Sequence, residues 1–270
     1  MFNHSFICFH MKLYFNNSIR ILFLLLIFSG CSVSSKINKP DHQQNYTIDS
    51  VMDSNSQKDT AFVNVIESYK SQLDGEMNTV ISVCDEEMIT GKPESKLSDY
   101  IADAMLAIGK EFCVENQLSH SVDLVIMNQG GIRTGMPKGE ITTGRIFEML
   151  PFKNKLVIVG MKGDDLMKLL NQVAGFGGEG ISGVKMGIKD KQAVDVLVNG
   201  TSVDLGKTYH ILSIDYLVNG GGGLSAFETR ETFRHLHLKL RSEMIKYIRR
   251  DYENGKHISA ELDGRIYNVE

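Results

Sequence analysis

Two hydrophobic spacings alternate along residues 61–270, and each predicts a different kind of element. Short apolar runs predict strands, whereas apolar residues three or four positions apart predict helices. The predicted helices cover 63–73, 97–108, 142–148, 164–173 and 242–252; Ser98 and Asp99 are candidate caps of the second helix, and Thr142 caps the third. The predicted strands cover 79–84, 123–127, 155–161, 184–188, 194–198, 201–203, 209–214 and 266–269. Asn199-Gly200 lies between two of these strands and is typical of a type I′ hairpin turn.

Helices and strands alternate early in this region, and hairpins come late. This order predicts an α+β fold in which helices pack on a mixed sheet. About 210 residues of ordinary globular composition are enough for one sizeable core, so we expect a single domain over 61–270. Residues 31–60, by contrast, are rich in Ser, Asn, Gln, Asp and Lys, and this composition predicts a flexible tether.

The first 30 residues have the layout of a secretory signal. They contain no acidic residue, two basic residues and one apolar run, Ile21–Phe28. The run is too short to span a bilayer, which needs about 20 apolar residues. Ser29 and Gly30 precede Cys31, and this segment resembles a bacterial lipobox with Cys31 as the lipidated residue. We expect a lipoprotein anchored to a membrane of the cell envelope, on its periplasmic or surface side; plain secretion is the alternative.

The charge balance bears on the class of ligand. The chain has a formal net charge of −4, and removal of residues 1–30 lowers Lys+Arg from 29 to 27 against 33 Asp+Glu, giving −6. A mildly acidic body argues against nucleic acid as a partner, because a phosphate groove requires a basic face. A small anionic ligand bound by one arginine stays compatible with this charge.

The four cysteines are Cys8, Cys31, Cys84 and Cys113. Cys8 leaves with the signal segment, so Cys84 and Cys113 are left in a compartment where a disulfide persists. Both follow an apolar residue, as buried thiols often do, and the sequence leaves the two alternatives open. The chain has no Cys-x-x-Cys pair, which argues against zinc-ribbon and thioredoxin-like proteins.

Asn128-Gln129-Gly130-Gly131-Ile132-Arg133 follows a predicted strand. The two glycines permit a sharp turn that aims Asn128 and Arg133 at one spot. Arginine suits bidentate contact with a phosphate or a carboxylate. The alternative is a tight turn whose arginine only faces solvent.

Two further segments carry an aromatic residue beside a turn. Phe152 follows Pro151 and is either a ligand-stacking residue or a plug of the core. Tyr216 precedes the loop Asn219–Gly223, whose four glycines allow close approach to a ligand. This loop matches neither the phosphate-binding P-loop nor the GxGxxG dinucleotide motif.

Together these segments resemble the C-terminal domain of the 5′-nucleotidase family, which includes UDP-sugar hydrolases and 2′,3′-cyclic phosphodiesterases. The family pattern Asn-x-Gly-Gly-Ile-Arg is similar to 128–133, Gly-x-Ile-Thr to 139–142, Leu-Pro-Phe-x-Asn to 150–154, and an aromatic before an Asn-Gly-Gly loop to 216–223. Glu94, Leu97 and Asp103 resemble the preceding helix, and 263–266 resembles the family's Glu-Gly-Arg-Ile close. The resemblance covers roughly residues 75–270.

The resemblance implies a domain that binds the nucleoside end of a nucleotide. Phe152 and Tyr216 would sandwich the base, and Asn128 and Arg133 would hydrogen-bond the substrate. The implied substrate-binding set is Asn128, Gly130, Gly131, Arg133, Phe152, Tyr216, Asn219 and Gly221. The chain departs from the family at Gly222, where the family has a ribose-binding Asp, and at Gly91, where it has an arginine; Lys92 is the candidate substitute for that arginine.

The family's chemistry belongs to a separate N-terminal metallophosphatase domain with two divalent metals. The chain lacks the Asp-x-His and Gly-Asn-His motifs of that domain, and about a hundred residues between the signal and Asn128 are too few for it. His235 and His237 pair closely in sequence, but a surface position is the better interpretation than a metal site. We therefore expect no catalytic residue, metal or other cofactor in this chain, and divalent metals on a partner metallophosphatase.

Three functions follow from this interpretation. The first is the substrate-binding half of a split 5′-nucleotidase in nucleotide catabolism. The second is a membrane-tethered nucleoside or nucleotide receptor without a catalytic role. The third is a degenerate scaffold without ligand affinity, suggested by the glycine at 222.

Overall fold

The computed structural model describes residues 60–270; the predicted signal segment, Cys31 and the tether up to residue 59 lie outside the described residues. The helices are α1 (Thr60–Met77), α2 (Lys96–Glu115), α3 (Thr143–Met149), α4 (Gly163–Gly175), α5 (Asp215–Val218) and α6 (Leu240–Glu253). The strands are β1 (Val80–Cys84), β2 (Leu124–Met127), β3 (Gly139–Thr142), β4 (Lys155–Lys162), β5 (Gly180–Ser182), β6 (Val184–Lys189), β7 (Gln192–Val198), β8 (Thr201–Ser202), β9 (Thr208–Ile214), β10 (Thr232–Lys239) and β11 (Ile266–Asn268). None of the helices in this part of the chain is both long and apolar enough to cross a membrane.

The strands form three sheets, of which the largest has the order β10-β4-β9-β2-β5. In this sheet β2 and β9 run parallel, and the other neighbours are antiparallel. A four-stranded sheet has the order β11-β6-β7-β8, and β1 pairs with β3. The two larger sheets therefore contain both parallel and antiparallel pairs, and helices pack against the central one, which confirms the predicted α+β fold.

The core lies between the central sheet and the helices that cover it. Strand β2 is buried along its whole length, and α2 packs against β2, β5 and β9. Gly109 allows this close packing, because a Cβ at that position would lie 2.9 Å from Leu212 Cδ2. Burial of both faces explains why β2 is an uninterrupted apolar run in the sequence.

Most predicted elements agree with the structure, but the predicted caps of α2 are wrong. Ser95 is the N-cap, and its hydroxyl accepts a hydrogen bond from the Ser98 N–H group at 3.4 Å. Ser98 and Asp99 lie inside the first turn, because the helix begins at Lys96, one residue before the first apolar position. The Thr142 cap is confirmed, since its hydroxyl accepts from Arg145 N–H at 3.2 Å.

The turn and the cysteines also agree with interpretations made from the sequence. Asn199 and Gly200 have φ values of 48° and 79°, as a type I′ turn requires. Cys84 and Cys113 are separate, buried free thiols, in line with the buried-thiol alternative. Burial raises the pKa of both thiols, so they are less reactive than an exposed cysteine.

Candidate functional site

Six of the eight residues predicted to bind substrate line one cavity of about 350 Å³, which we call the aromatic cavity. Its lining consists of Asn128, Gly130, Gly131, Arg133, Phe152, Asn154 and Tyr216. These residues come from three separate segments that meet at one end of the central sheet. Asn219 and Gly221, the other two predicted residues, do not line it.

The glycine turn after β2 places Asn128 in the cavity wall. Gly130 and Gly131 leave room for the Asn128 carboxamide, because a Cβ on either glycine would lie 3.3 Å from its terminal atoms. Asn128 Oδ1 is buried, and no donor among the described residues reaches it. A buried acceptor without a partner is costly, so a ligand donor at this position would satisfy it.

The turn itself is fixed from behind by Gln129. Its N–H group donates to Glu179 Oε2 at 2.6 Å, and its Nε2 donates to the Gly91 carbonyl at 2.8 Å. Lys92 belongs to the same support: its Nζ lies 3.5 Å from Glu179 Oε1 and donates to the Phe176 carbonyl. The structure therefore does not place Lys92 in the lining as a substitute for the family's arginine, because neighbouring acceptors bind its ammonium group outside the cavity.

Arg133 is exposed and lines the cavity at the same time. Its guanidinium donates to the Gly130 carbonyl at 3.3 Å, and within residues 60–270 no carboxylate forms an ion pair with it. The charge is thus available to an anion, for which the planar guanidinium has a bidentate geometry. Arg133 thus lies in the cavity wall and is exposed to solvent, so its role in ligand binding stays a prediction.

Phe152 and Tyr216 lie at the same end of the sheet because their strands pair. Strands β4 and β9 are antiparallel, and their last pair at this end is Leu156 with Ile214. Phe152 is 49% exposed and Tyr216 is 52% exposed. The alternative that Phe152 is a plug of the core is therefore wrong. Two exposed aromatic rings on one cavity suit a planar ligand, and stacking of a base contributes about 1–3 kcal/mol per ring.

The glycine loop after Tyr216 acts on the tyrosine ring rather than on the cavity. A Cβ on Gly221 would lie 2.6 Å from two carbons of the Tyr216 ring, so only glycine allows the ring its position. Gly220 and Gly222 have φ values of 91° and 65°, in the left-handed region that favours glycine. Asn219 is exposed and is the C-cap of α5, and its N–H group donates to the Asp215 carbonyl at 3.1 Å.

Sequence reasoning missed two residues of this site. Asn154 lines the cavity, and the Leu-Pro-Phe-x-Asn spacing already placed it two residues after Phe152. Arg241, at the start of α6, donates to the carbonyls of Leu150 and Pro151 at 3.2 and 3.1 Å and thereby fixes the loop that carries Phe152. No sequence signal indicates Arg241, because it is 89 residues away from Phe152.

The histidines and carboxylates form no metal site in the described part of the chain: no group of three or more His, Cys, Asp or Glu residues has the arrangement for one. His235 and His237 are exposed on β10, with ring centroids 5.8 Å apart.

Comparison with known proteins gives a consistent picture. A family model described as the 5′-nucleotidase C-terminal domain matches residues 80–229. A cell wall protein of Listeria monocytogenes is 28% identical over 74% of this chain and 28% of its own length. A trifunctional nucleotide phosphoesterase of Bacillus subtilis is 26% identical over 77% of this chain and 14% of its own. The chain thus spans less than a third of either curated relative.

Solved structures agree on the fold. A 5′-nucleotidase precursor from Thermus thermophilus superposes with a TM-score of 0.63 and 25% identity, over 77% of this chain and 43% of that one. An NAD nucleotidase from Haemophilus influenzae, at 22% identity, has the same fold with a TM-score of 0.58. The family match covers 150 of the 270 residues, and the cavity lies where the family motifs converge. The protein belongs to the 5′-nucleotidase C-terminal domain family.

Proposed function

We propose that this chain is the substrate-binding half of a 5′-nucleotidase-type phosphohydrolase and acts with a separately encoded metallophosphatase. One observation carries the proposal: Phe152 and Tyr216, both half-exposed, share a cavity with an arginine and a buried acceptor. Among residues 60–270, no carboxylate forms an ion pair with Arg133 and no donor reaches Asn128 Oδ1. A nucleotide matches this combination, since it has a planar base, hydrogen-bond donors and an anionic phosphate.

Each lining residue has a role that follows from its chemistry. Phe152 and Tyr216 stack on the two faces of the base, and the Asn128 and Asn154 carboxamides bind polar groups of the base or the sugar. Arg133 binds the anionic part of the ligand. This chain orients the nucleotide and performs no bond-breaking step.

Hydrolysis is assigned to the partner. Two divalent metals in a metallophosphatase activate water for attack on phosphorus, and the products would be a nucleoside and inorganic phosphate. The histidines and carboxylates of the described residues do not fit such a pair of metals. The two chains would meet across the substrate, with the phosphate presented by this chain.

A second function is carried by the same cavity. A tethered nucleoside or nucleotide receptor needs only the stacking pair and the unpartnered polar groups, and these bind ligand with or without a catalyst. Reconstitution separates the two functions: phosphatase activity that needs both this chain and a metallophosphatase with divalent metal supports the split enzyme. Binding without such activity supports the receptor.

The cell-envelope location is also part of the proposal. It is supported by the lipobox-like sequence at Cys31 and by the likeness to a cell wall protein. In cells fed radiolabelled palmitate, the wild-type chain should take up label and the Cys31→Ala chain should not. Equal labelling of the two chains would contradict the lipid anchor.

Calorimetric titration of AMP and adenosine into residues 36–270 tests the binding site. We expect wild type to bind and Phe152→Ala to bind at least about fivefold more weakly, the lower end for loss of one stacking contact. Phe233→Ala is the matched control, because Phe233 is an exposed aromatic (38%) on β10 that does not line the cavity. No heat with either ligand would contradict both functions and favour the degenerate scaffold.

A further inference from the structure

Asp215 joins the two segments that carry the aromatic rings. Its Oδ1 accepts a hydrogen bond from the Lys155 N–H group at 3.0 Å and a second from the Tyr216 N–H group at 2.9 Å. Lys155 begins β4, three residues after Phe152, and Asp215 begins α5, directly after β9. One carboxylate oxygen therefore links the end of one strand to the start of the other segment. We call these two hydrogen bonds the Asp215 bridge.

The position of the bridge in the sheet explains its importance. Backbone pairing between β4 and β9 ends at Leu156 and Ile214, so Lys155 and Asp215 stand one step beyond the last backbone pair. The Asp215 side chain continues the connection at this step. Hydrogen bonds to an ionised carboxylate are roughly twice as strong as those between neutral groups.

The rest of the Phe152 loop is fixed independently of α5. Arg241 donates to the Leu150 and Pro151 carbonyls, and the Leu240 N–H group donates to the Asn154 carbonyl at 3.0 Å. These contacts bind the loop to the start of α6. The Asp215 bridge adds hydrogen bonds that link Lys155, next to this loop, to the segment bearing Tyr216.

We propose that Asp215 is a positioning residue that fixes the separation of the Phe152 and Tyr216 rings before a ligand enters. This proposal rests on the proposed function, because it assigns the gap between the rings to a stacked base. A gap formed in advance favours binding, since less conformational entropy is lost when the ligand arrives. The carboxylate itself does not line the cavity.

The test compares two substitutions of this residue. Asp215→Ala removes the acceptor, and AMP affinity should fall about tenfold as the preorganisation is lost. Asp215→Asn keeps an oxygen in the same place and should stay within about threefold of wild type, because a neutral acceptor still makes both bonds. Asp204→Ala is the control: Asp204 Oδ1 accepts from the Gly206 N–H group at 2.9 Å in a loop outside the cavity, and its loss should not change AMP affinity. Equal loss in the Ala and Asn variants would overturn the proposal.

A double-mutant cycle separates positioning from general stability. If Asp215 acts through the two rings, Asp215→Ala should cost less than about twofold in AMP affinity once Phe152→Ala is present. If Asp215→Ala lowers AMP affinity as much in the Phe152→Ala protein as it does in wild type, the two losses are additive and the proposal is overturned.

Amide hydrogen exchange provides a readout that needs no ligand. The Lys155 and Tyr216 amides should exchange slowly in wild type and in Asp215→Asn, and faster in Asp215→Ala. Slow exchange in Asp215→Ala would overturn the bridge. A second outcome is that exchange follows this pattern but AMP fails to bind wild type. In that case the bridge exists, but the proposed function and the assignment of the ring gap to a base are both overturned.

Discussion

The two arginines Arg133 and Arg265 stand in opposite surroundings. Arg133 is exposed, lines the aromatic cavity and has no ion-pair partner within residues 60–270. The side chain of Arg265 is only 11% exposed and bonds Asp103 at 2.7 and 3.0 Å and Asp263 at 2.8 Å. The same residue type thus stands in two settings, and what distinguishes them is whether the protein itself supplies the anion.

Arg265 lies among four carboxylates, and we call this group the Arg265 cluster: Glu94, Asp99, Asp103, Asp263 and Arg265. The cluster connects distant parts of the chain. Glu94 Oε1 accepts from the Asp263 and Gly264 N–H groups at 3.0 and 3.1 Å, which ties the C-terminal segment to the residues before α2. The cluster satisfies most of its polar groups internally. It therefore stabilises the fold, whereas the cavity keeps its polar groups free for a ligand.

The largest effect is expected for substitution of Arg265, which should lower the stability of the fold. Arg265→Ala removes a mostly buried guanidinium and its hydrogen bonds to the half-exposed Asp103 and Asp263, so the free energy of unfolding should fall by about 3 kcal/mol, the upper value for hydrogen bonds to a charged group. Arg250→Ala is the control, because the Arg250–Glu111 pair is nearly half exposed and is worth at most about 1 kcal/mol. Urea unfolding measures both. A loss below about 1 kcal/mol for Arg265→Ala would show that the cluster does not stabilise the fold.

The second largest effect is expected for Gly221→Ala, which should displace the Tyr216 ring in the aromatic cavity. An alanine Cβ there would lie 2.5 Å from the Tyr216 carbonyl oxygen and 2.6 Å from its ring, so the ring must move. AMP affinity should fall by about 1–3 kcal/mol, the value of one stacked ring. Gly75→Ala is the matched control, since its Cβ meets nothing within 4 Å and the site lies in α1. Unchanged titration curves for Gly221→Ala would mean that the tyrosine ring contributes nothing to binding.

The third prediction concerns Asp99, whose pKa is raised to about 8, chiefly because burial disfavours the charged form, although Arg265 acts in the opposite direction. Its pKa in the unfolded chain is about 3.9. Between these two values the folded protein holds a proton that the unfolded chain has lost, so stability from this group falls as the pH rises from about 4 to 8. Above pH 8 its contribution is constant.

Asp99→Asn removes this dependence. The stability of the variant relative to wild type should increase between pH 4 and 8 and then level off, by at least about 1.4 kcal/mol, the value of one pKa unit. Thermal or urea unfolding of both proteins from pH 4 to 9 gives the difference curve. A flat difference across this range would show that Asp99 titrates normally.

The sequence was sufficient for the parts of the fold and the cavity that rest on local patterns. The apolar run of β2 and the glycine turn that follows it led directly to Asn128 and Arg133. The resemblance to the family associated Phe152 with Tyr216, although a lone Phe beside a proline is more often a plug of the core. Exposure decided that question, and exposure depends on tertiary packing.

Other features could not be found in this way. Strand β10 was missed because it is an edge strand in which seven of eight residues are not buried, so it shows little apolar alternation. The supports of the site were missed for another reason: Asp215 and Arg241 act on backbone groups of residues 60 and about 90 positions away. A side chain that bonds a distant backbone leaves no spacing pattern in the sequence.

The smallest effect is expected for Lys92, which is exposed, as Arg133 is, but contacts a carboxylate, as Arg265 does. The resemblance suggested it as a replacement for the family's anion-binding arginine, but its ammonium group contacts Glu179 and the Phe176 carbonyl instead. Because the side chain is 44% exposed, its ion pair should contribute less than about 1 kcal/mol. Lys92→Ala should therefore lower stability slightly and leave AMP affinity within about twofold of wild type, whereas Arg133→Ala should lower that affinity by about 1.5–3 kcal/mol, the value of a hydrogen bond to a charged group. Titrations at low and moderate salt check both variants, since a lost anion contact weakens the salt dependence. If Lys92→Ala lowers AMP affinity as much as Arg133→Ala does, Lys92 also binds the ligand. Its contact with Glu179 would then have to break when the ligand binds.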